Sequence, residues 1–109
     1  MSLNVTLKKT CCGSEIYTAN ITHNLSRMAN EAGICCALWR PEEILDDLTA
    51  DKLIPLLEVG LKKLKSDPEH YKKFNAPNGF GIYERFISFV EEYLEACKEH
   101  PNALISVSR

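Results

Sequence analysis

Residues 20–25 read Asn20-Ile21-Thr22-His23-Asn24-Leu25, and the chain changes there from extended structure to helix. Residues 15–19 before this stretch are rich in β-branched and aromatic side chains, which favour a strand. Thr22 is a good N-cap for a helix from His23 to Ala32, and Gly33 suits the position just after a helix end. The stretch therefore predicts a strand-to-helix corner at which four polar side chains crowd together.

The residues before this corner predict a β-hairpin. Leu3, Val5 and Leu7 alternate with polar residues, which is the period of a half-buried strand. Gly13 in the following turn is free to adopt a positive φ. Because a hairpin alone is only marginally stable, a third strand is needed, and the C-terminal residues are the obvious source. We predict one antiparallel sheet formed by Leu3–Lys9, Glu15–Ala19 and Leu104–Ser108.

Amphipathic helices account for most of the remaining sequence. Cap and proline signals predict short helices after Arg40 and after Ser66, with longer helices after Thr49 and from Ile82 to Glu99. Pro55 must lie in the first turn of its helix or kink it. The run from Ile34 to Trp39 is compatible with a strand, irregular core or a helical turn.

The two long helices carry apolar stripes that have to be buried. The first stripe comprises Leu53, Leu56, Leu57, Gly60, Leu61 and Leu64. The second comprises Tyr83, Phe86, Ile87, Val90, Leu94 and Cys97. We expect these stripes to pack together. The predicted class is α+β, with a small three-stranded antiparallel sheet covered by three to four helices in a single domain, residues 1–109.

The overall composition excludes several classes of function. The 109 residues include 13 basic and 15 acidic side chains, for a net charge of -2. That balance argues against a nucleic-acid or anionic-membrane binder, since both need a basic surface. No apolar run approaches the roughly 20 residues of a membrane span. The N-terminus lacks a signal-peptide pattern and the five cysteines are odd in number, which predicts reduced thiols in the cytoplasm.

The order of several short motifs resembles a family of small uncharacterised proteins encoded by bacteriophages, prophages and some bacteria. The resemblance rests on Asn20–Asn24 with Met28, on residues 75–84, and on the pairs Ala96-Cys97, His100-Pro101 and Ser108-Arg109. Family members more often have Trp where this chain has Phe80, and the region of Cys35-Cys36 varies among them. Both departures argue against a role for the paired cysteines. No activity is established for that family, so the resemblance implies a phage-type protein without naming a reaction.

The strand-to-helix corner is the predicted ligand site. A helix start offers unpaired amides to an anion, and a neutral histidine beside it can act as a base or ligand. We predict a site at Asn20, Thr22, His23 and Asn24, with Arg40 or the segment from Asn78 to Tyr83 as the opposite wall. The simpler interpretation is that Asn20 and His23 satisfy backbone groups where the strand meets the helix.

Other chemistry is less well supported by the sequence. Adjacent cysteines in an extended chain point to opposite faces, and no Cys-x-x-Cys spacing is present, so no metal or cofactor is expected. The loop from Asn75 to Gly81 is interpreted as a turn between helices, the alternative being a lid over a ligand. No nucleophile–base pair is recognisable, which makes an enzyme the less favoured class.

Two functions of different class follow from these observations. The first is a small accessory protein that acts through a protein partner or as a homodimer. The second is a binder of a small anionic molecule, or an enzyme, that uses the His23 corner. The partner of the first function would be bound through a helical face. An exposed apolar patch would favour the first function, while a closed polar pocket at His23 would favour the second.

Overall fold

A computed structural model of the chain describes residues 2–75 and 82–109. The strands in this part are β1, β2 and β3, at Ser2–Lys8, Glu15–Thr22 and Leu104–Ser108. The α-helices α1 to α5 lie in order at Ser26–Glu31, Cys35–Trp39, Ala50–Ser66, Pro68–Lys72 and Tyr83–Glu99. Short 3-10 helices occupy His23–Leu25 and Pro41–Glu43. No helix among the described residues is long and apolar enough to cross a membrane.

The three strands form one antiparallel sheet in the order β2-β1-β3, so the predicted α+β fold is confirmed. Gly13 adopts the expected positive φ of 71° in the β1–β2 turn. Strand β2 is longer than predicted and continues to Thr22, because Ile21 pairs with Leu3 and is buried there. The strand-to-helix corner at Thr22 is therefore the end of an edge strand.

The two faces of the sheet differ in chemistry. The inner face of β1 consists of Leu3, Val5 and Leu7, which are fully buried beneath the helices. The outer face is a polar surface formed by residues that the register places side by side: Asn4, Thr6, Thr18, Asn20, Ser106 and Ser108. This alternation is the expected result of covering an antiparallel sheet on one side only.

The two edge strands also differ. The outer edge of β3 is covered at its start, since the Ile105 amide donates to the Leu48 carbonyl at 2.8 Å and Leu104 forms an isolated bridge with Thr49. No described residue forms backbone hydrogen bonds with the outer edge of β2. One edge of the sheet is thus protected in part by a neighbouring segment, while the described chain leaves the other edge open along its whole length.

Helices α3 and α5 pack against each other as predicted. Leu57 and Phe86 are fully buried between them, and the Tyr83 hydroxyl donates to the Leu64 carbonyl at 2.6 Å. The inclusion of Leu56 in the buried stripe was wrong, because its side chain is 36% exposed on the outer side of α3. The buried surface of α5 is wider than predicted and also includes Phe89, Tyr93 and Ala96.

Several local features refine the sequence expectations. The helix after Thr22 begins as a 3-10 turn, in which the Thr22 hydroxyl accepts a hydrogen bond from the Asn24 amide at 3.3 Å. The ambiguous run from Ile34 to Trp39 forms the short helix α2. Pro55 lies inside α3, past its first turn. Of the turn predicted at residues 75–81, only Asn75 lies among the described residues.

Candidate functional site

A groove of about 860 Å³ lies between the edge strand β2 and the helix α5, and is called the β2–α5 groove below. Strand β2 contributes Tyr17–Thr22 to its lining, and the following 3-10 turn contributes Asn24 and Leu25. Helix α5 contributes the four residues on the side that faces the strand, Arg85, Ser88, Phe89 and Glu92. The end of β2 and the strand-to-helix corner are therefore part of a larger concave surface.

The groove exists because α5 covers the inner face of β2 only in part. Tyr17 stacks on Tyr93 of α5, with ring centroids 6.1 Å apart and planes 9° from parallel. Ala19 is the next inward-facing residue of β2, and its small side chain leaves space beside Phe89. Tyr17 and Ala19 remain half-buried, whereas Ile21 is buried. Part of the apolar core is therefore exposed to solvent at the open edge of the sheet.

The groove side of α5 carries opposite charges at its two ends. Arg85, Ser88, Phe89 and Glu92 follow the spacing i, i+3, i+4, i+7, which places them on one side of the helix. Neither Arg85 nor Glu92 forms an ion pair with a described residue. Their positions are two turns apart, about 10.5 Å along the helix axis. A binding partner would therefore meet a cation at one end of α5's groove side and an anion at the other.

The tyrosines beside the groove are unsuited to acid–base catalysis. Burial, reinforced by the nearby Glu92 carboxylate and by Cys97, raises the pKa of Tyr17 to about 12. Burial also raises the pKa of Tyr93. Both hydroxyls are buried and find no hydrogen-bond partner among the described residues. These phenols stay protonated at neutral pH, so they contribute packing and not a reactive base.

The predicted site residues are only partly brought together. Asn20, Thr22 and Asn24 line the groove, while His23 does not. The Asn20 side-chain amide donates to the Ser2 hydroxyl at 2.8 Å and to the Asn4 side-chain oxygen at 2.7 Å. These partners are side chains of β1 and not the backbone groups expected in the simpler interpretation, so Asn20 links β2 to β1 across the outer face of the sheet.

His23 faces away from the groove and packs on a tryptophan. Its ring lies edge-on to Trp39, with centroids 6.1 Å apart and an interplanar angle of 71°. Its Nε2 atom is buried and has no hydrogen-bond partner among the described residues. The ring therefore serves as an aromatic packing element in this arrangement.

Of the residues predicted to form the opposite wall of the site, Arg40 and Tyr83 do not line the groove. Arg40 forms an ion pair with Glu43 at 3.1 Å and does not line the groove. Tyr83 is buried against α3, and Asn78 lies outside the described residues. The cation that does line the groove is Arg85, which the sequence reasoning missed because it lies among the acidic residues on the exposed side of α5. Its spacing relative to Phe89 and Glu92 is the signal that could have identified it.

Replacing His23 with phenylalanine tests its packing role. The change keeps the aromatic contact with Trp39 and removes a buried nitrogen that lacks a partner. We expect the free energy of unfolding to stay equal or to rise by up to about 1 kcal/mol, measured by urea denaturation. His23→Ala should instead lower it by about 1 kcal/mol, because the aromatic pair is lost. An alanine variant as stable as the parent would contradict the packing role.

The five cysteines are free thiols in the structure. The expectation that adjacent cysteines point to opposite faces was wrong for Cys11 and Cys12, whose sulfur atoms lie 3.7 Å apart. They occupy a turn and not an extended strand, so the alternation of a strand does not apply. Among the described residues, no group of three or more His, Cys, Asp or Glu side chains is arranged to hold a metal ion.

The thiols should differ strongly in reactivity. Hydrogen bonding, first with the Ser14 side chain, lowers the pKa of the exposed Cys12, whereas burial raises the pKa of Cys97 to about 12. Since the thiolate is the nucleophile, we expect iodoacetamide to label Cys12 well before Cys97 in the folded protein. Peptide mass spectrometry over a time course measures the order. Ser14→Ala should slow labelling at Cys12, and equal rates at the two sites would contradict the assignment.

No protein-family profile, curated protein or solved structure matches this chain.

Proposed function

We propose that this chain is a small protein-binding module, a phage-type accessory protein of the cytoplasm, which binds a protein partner through the β2 edge and the β2–α5 groove. The observation that supports this proposal is the contrast between the two edge strands. The edge of β3 is covered at its start, where Ile105 bonds to Leu48 and Leu104 forms a bridge with Thr49, whereas no described residue bonds to the edge of β2 at any position. A strand edge left open in this way offers a row of backbone donors and acceptors to another chain.

Strand β2 has few of the features by which proteins commonly block strand edges. Its register with β1 shifts near its start, between the pairs Leu7–Tyr17 and Lys8–Glu15, and is regular from Tyr17 to Thr22. The strand is eight residues long, contains neither proline nor lysine, and carries its single charge at Glu15, the first residue. Residues at alternate positions of such a strand direct their N–H and C=O groups away from β1. An added strand could therefore form several main-chain hydrogen bonds along it.

The groove beside the edge would supply selectivity. Main-chain pairing alone recognises any extended segment, whereas neighbouring side chains choose among sequences. Here the half-exposed ring of Tyr17 offers an apolar contact, and Arg85 and Glu92 offer one charge of each sign. This combination of a pairing edge, a partly apolar wall and flanking charges resembles a protein interface more than a reaction centre.

The experiment compares two lysine substitutions on opposite edge strands of the sheet. Ala19 lines the groove on the inner side of β2, so Ala19→Lys introduces a charge where the partner would pack. Ser108 is exposed on the polar outer face of β3 and does not line the groove, so Ser108→Lys is the matched control. We expect a tagged parent protein and the Ser108→Lys variant to capture the same partner from a bacterial lysate, and the Ala19→Lys variant to lose it. A partner retained equally by Ala19→Lys would contradict the proposed interface.

A second candidate function is binding of a small anionic molecule at the Arg85 end of the same groove. It is supported by the position of Thr22 and Asn24, which line the groove together with Arg85. A thermal-shift screen with phosphorylated and carboxylated metabolites would test it. Arg85→Gln should remove any stabilisation, whereas Arg40→Gln should leave it intact, because Arg40 does not line the groove and is paired with Glu43. If Arg40→Gln removed the stabilisation and Arg85→Gln did not, the ligand site would be the strand-to-helix corner predicted from the sequence.

A further inference from the structure

We infer that the partner at the β2 edge is a second copy of this chain, joined through antiparallel pairing of the two β2 strands across a two-fold axis. The inference rests on the proposed function, since it uses the same surface and names its occupant. In this dimer Arg85 of one protomer lies opposite the partner's Glu92, and the contact occurs twice.

The geometry of the sheet determines the arrangement. Antiparallel pairing of two identical edge strands requires a two-fold axis perpendicular to the sheet. The two sheets then join into one of six strands in the order β3-β1-β2-β2-β1-β3, with both inner faces on the same side. The polar outer face, which includes Thr18 and Asn20, continues unbroken across the dimer. The two α5 helices, which lie beside β2 on the inner side, become antiparallel neighbours.

The charges on α5 fit this antiparallel arrangement. Arg85 and Glu92 lie at the two ends of the helix's groove side, with Ser88 and Phe89 between them. A two-fold axis close to Ser88 and Phe89 reverses the helix and brings each Arg85 to the partner's Glu92. A parallel arrangement in register would instead place like charges together. Self-complementarity of this kind is the property of an isologous interface, in which the same patch serves both subunits.

The middle of the proposed interface permits close approach. Ser88 on α5 and Ala19 on β2 are small, while Tyr17 and Phe89 provide apolar surface that continues from the core. An unrelated extended peptide would use the strand edge but would need no matched charges on α5. The pairing of an open edge with opposite charges at the two ends of one helix is what favours a second copy.

The test is a charge-swap series on the purified protein, with the dimer dissociation constant measured by sedimentation equilibrium. We expect the parent protein to dimerise. Arg85→Glu and Glu92→Arg should each raise the dissociation constant by about tenfold or more, because each creates two like-charge contacts. The double variant Arg85→Glu/Glu92→Arg should return to within about threefold of the parent, since both pairs re-form with reversed sign. Lys98→Glu, a charge reversal at an exposed residue of α5 that does not line the groove, is the matched control and should leave the constant unchanged.

Three results of this charge-swap series would overturn the inference. These are a parent protein that stays monomeric at all concentrations, a dimer unaffected by either single reversal, and a double variant no better than the single ones. Thermal unfolding of each variant as a monomer checks folding, and hydrogen exchange of β2 in the parent gives an independent measure. Amides at alternate positions of β2 should become protected as concentration rises; exchange independent of concentration would also overturn it. A monomeric protein that still loses a captured partner on Ala19→Lys would reject the second copy and keep the proposed function.

Discussion

Replacing Phe86 with alanine is expected to lower the free energy of unfolding by about 3–5 kcal/mol. Phe86 is fully buried on α5, at the contact between that helix and α3, where Leu57 is buried as well. The substitution removes most of a ring from a close-packed region, and the surrounding helices cannot collapse fully into the space. The loss therefore combines the transfer free energy of the ring with the cost of the cavity that it leaves.

Urea denaturation monitored by circular dichroism measures this effect. Leu57→Ala on the facing helix should cost about 2–5 kcal/mol for the same reason. Glu95→Ala is the control on α5, because Glu95 is exposed and its removal should change stability by less than about 0.5 kcal/mol. A loss at Phe86 as small as that of the control would mean that α5 presents a different face to α3.

The second large effect is expected at Gly60, where α3 passes closest to Ile34. A Cβ atom added at Gly60 would overlap the Ile34 Cγ2 atom, well inside van der Waals contact. Ile34 is only 2% exposed and branched at Cβ, so its methyl group has little freedom to move. Gly60→Ala should therefore destabilise the fold by about 1–3 kcal/mol, as overpacked cores do. The sign of this change in stability is informative, because replacing glycine with alanine in a helix without such a contact would raise the stability by about 1 kcal/mol.

A double-mutant cycle isolates this contact. Ile34→Ala alone should cost about 2–5 kcal/mol by leaving a cavity. Combined with Gly60→Ala it should cost less than the sum of the two single changes, because the new methyl group then occupies part of that cavity. Additive effects, or a stabilising Gly60→Ala, would show that the helix does not approach Ile34 so closely.

The fold could be predicted because its determinants are local and repeated. The alternation of Leu3, Val5 and Leu7 and the turn at Gly13 determine the hairpin, and the two apolar stripes determine the α3–α5 contact. Leu56 was wrongly assigned to the core because the apolar periodicity of a helix does not show how much of the helix surface its neighbours cover. Neighbouring Leu57 is buried while Leu56 remains partly exposed, and that difference depends on where the other helices end.

The site was harder to predict because it depends on packing between distant segments. Thr22 and Asn24 line the groove as part of the predicted corner, but His23 between them turns inward onto Trp39. Arg85 joins them from a helix about sixty positions away in the sequence. Local sequence reasoning finds a corner and its cap, whereas the opposite wall of a groove requires knowledge of which helix lies beside which strand.

The central position of β1 has a consequence for the time course of folding. Asn4 pairs with Ser108, so the sheet is completed only by residues 104 positions apart in the sequence (108 minus 4). At a synthesis rate of about 5–20 residues per second, β1 waits roughly 5–20 seconds between leaving the ribosome's active site and the arrival of its second neighbour. During that interval β1 is itself an open edge of the nascent hairpin, and its Leu3, Val5 and Leu7 are available to chaperones or to other nascent chains.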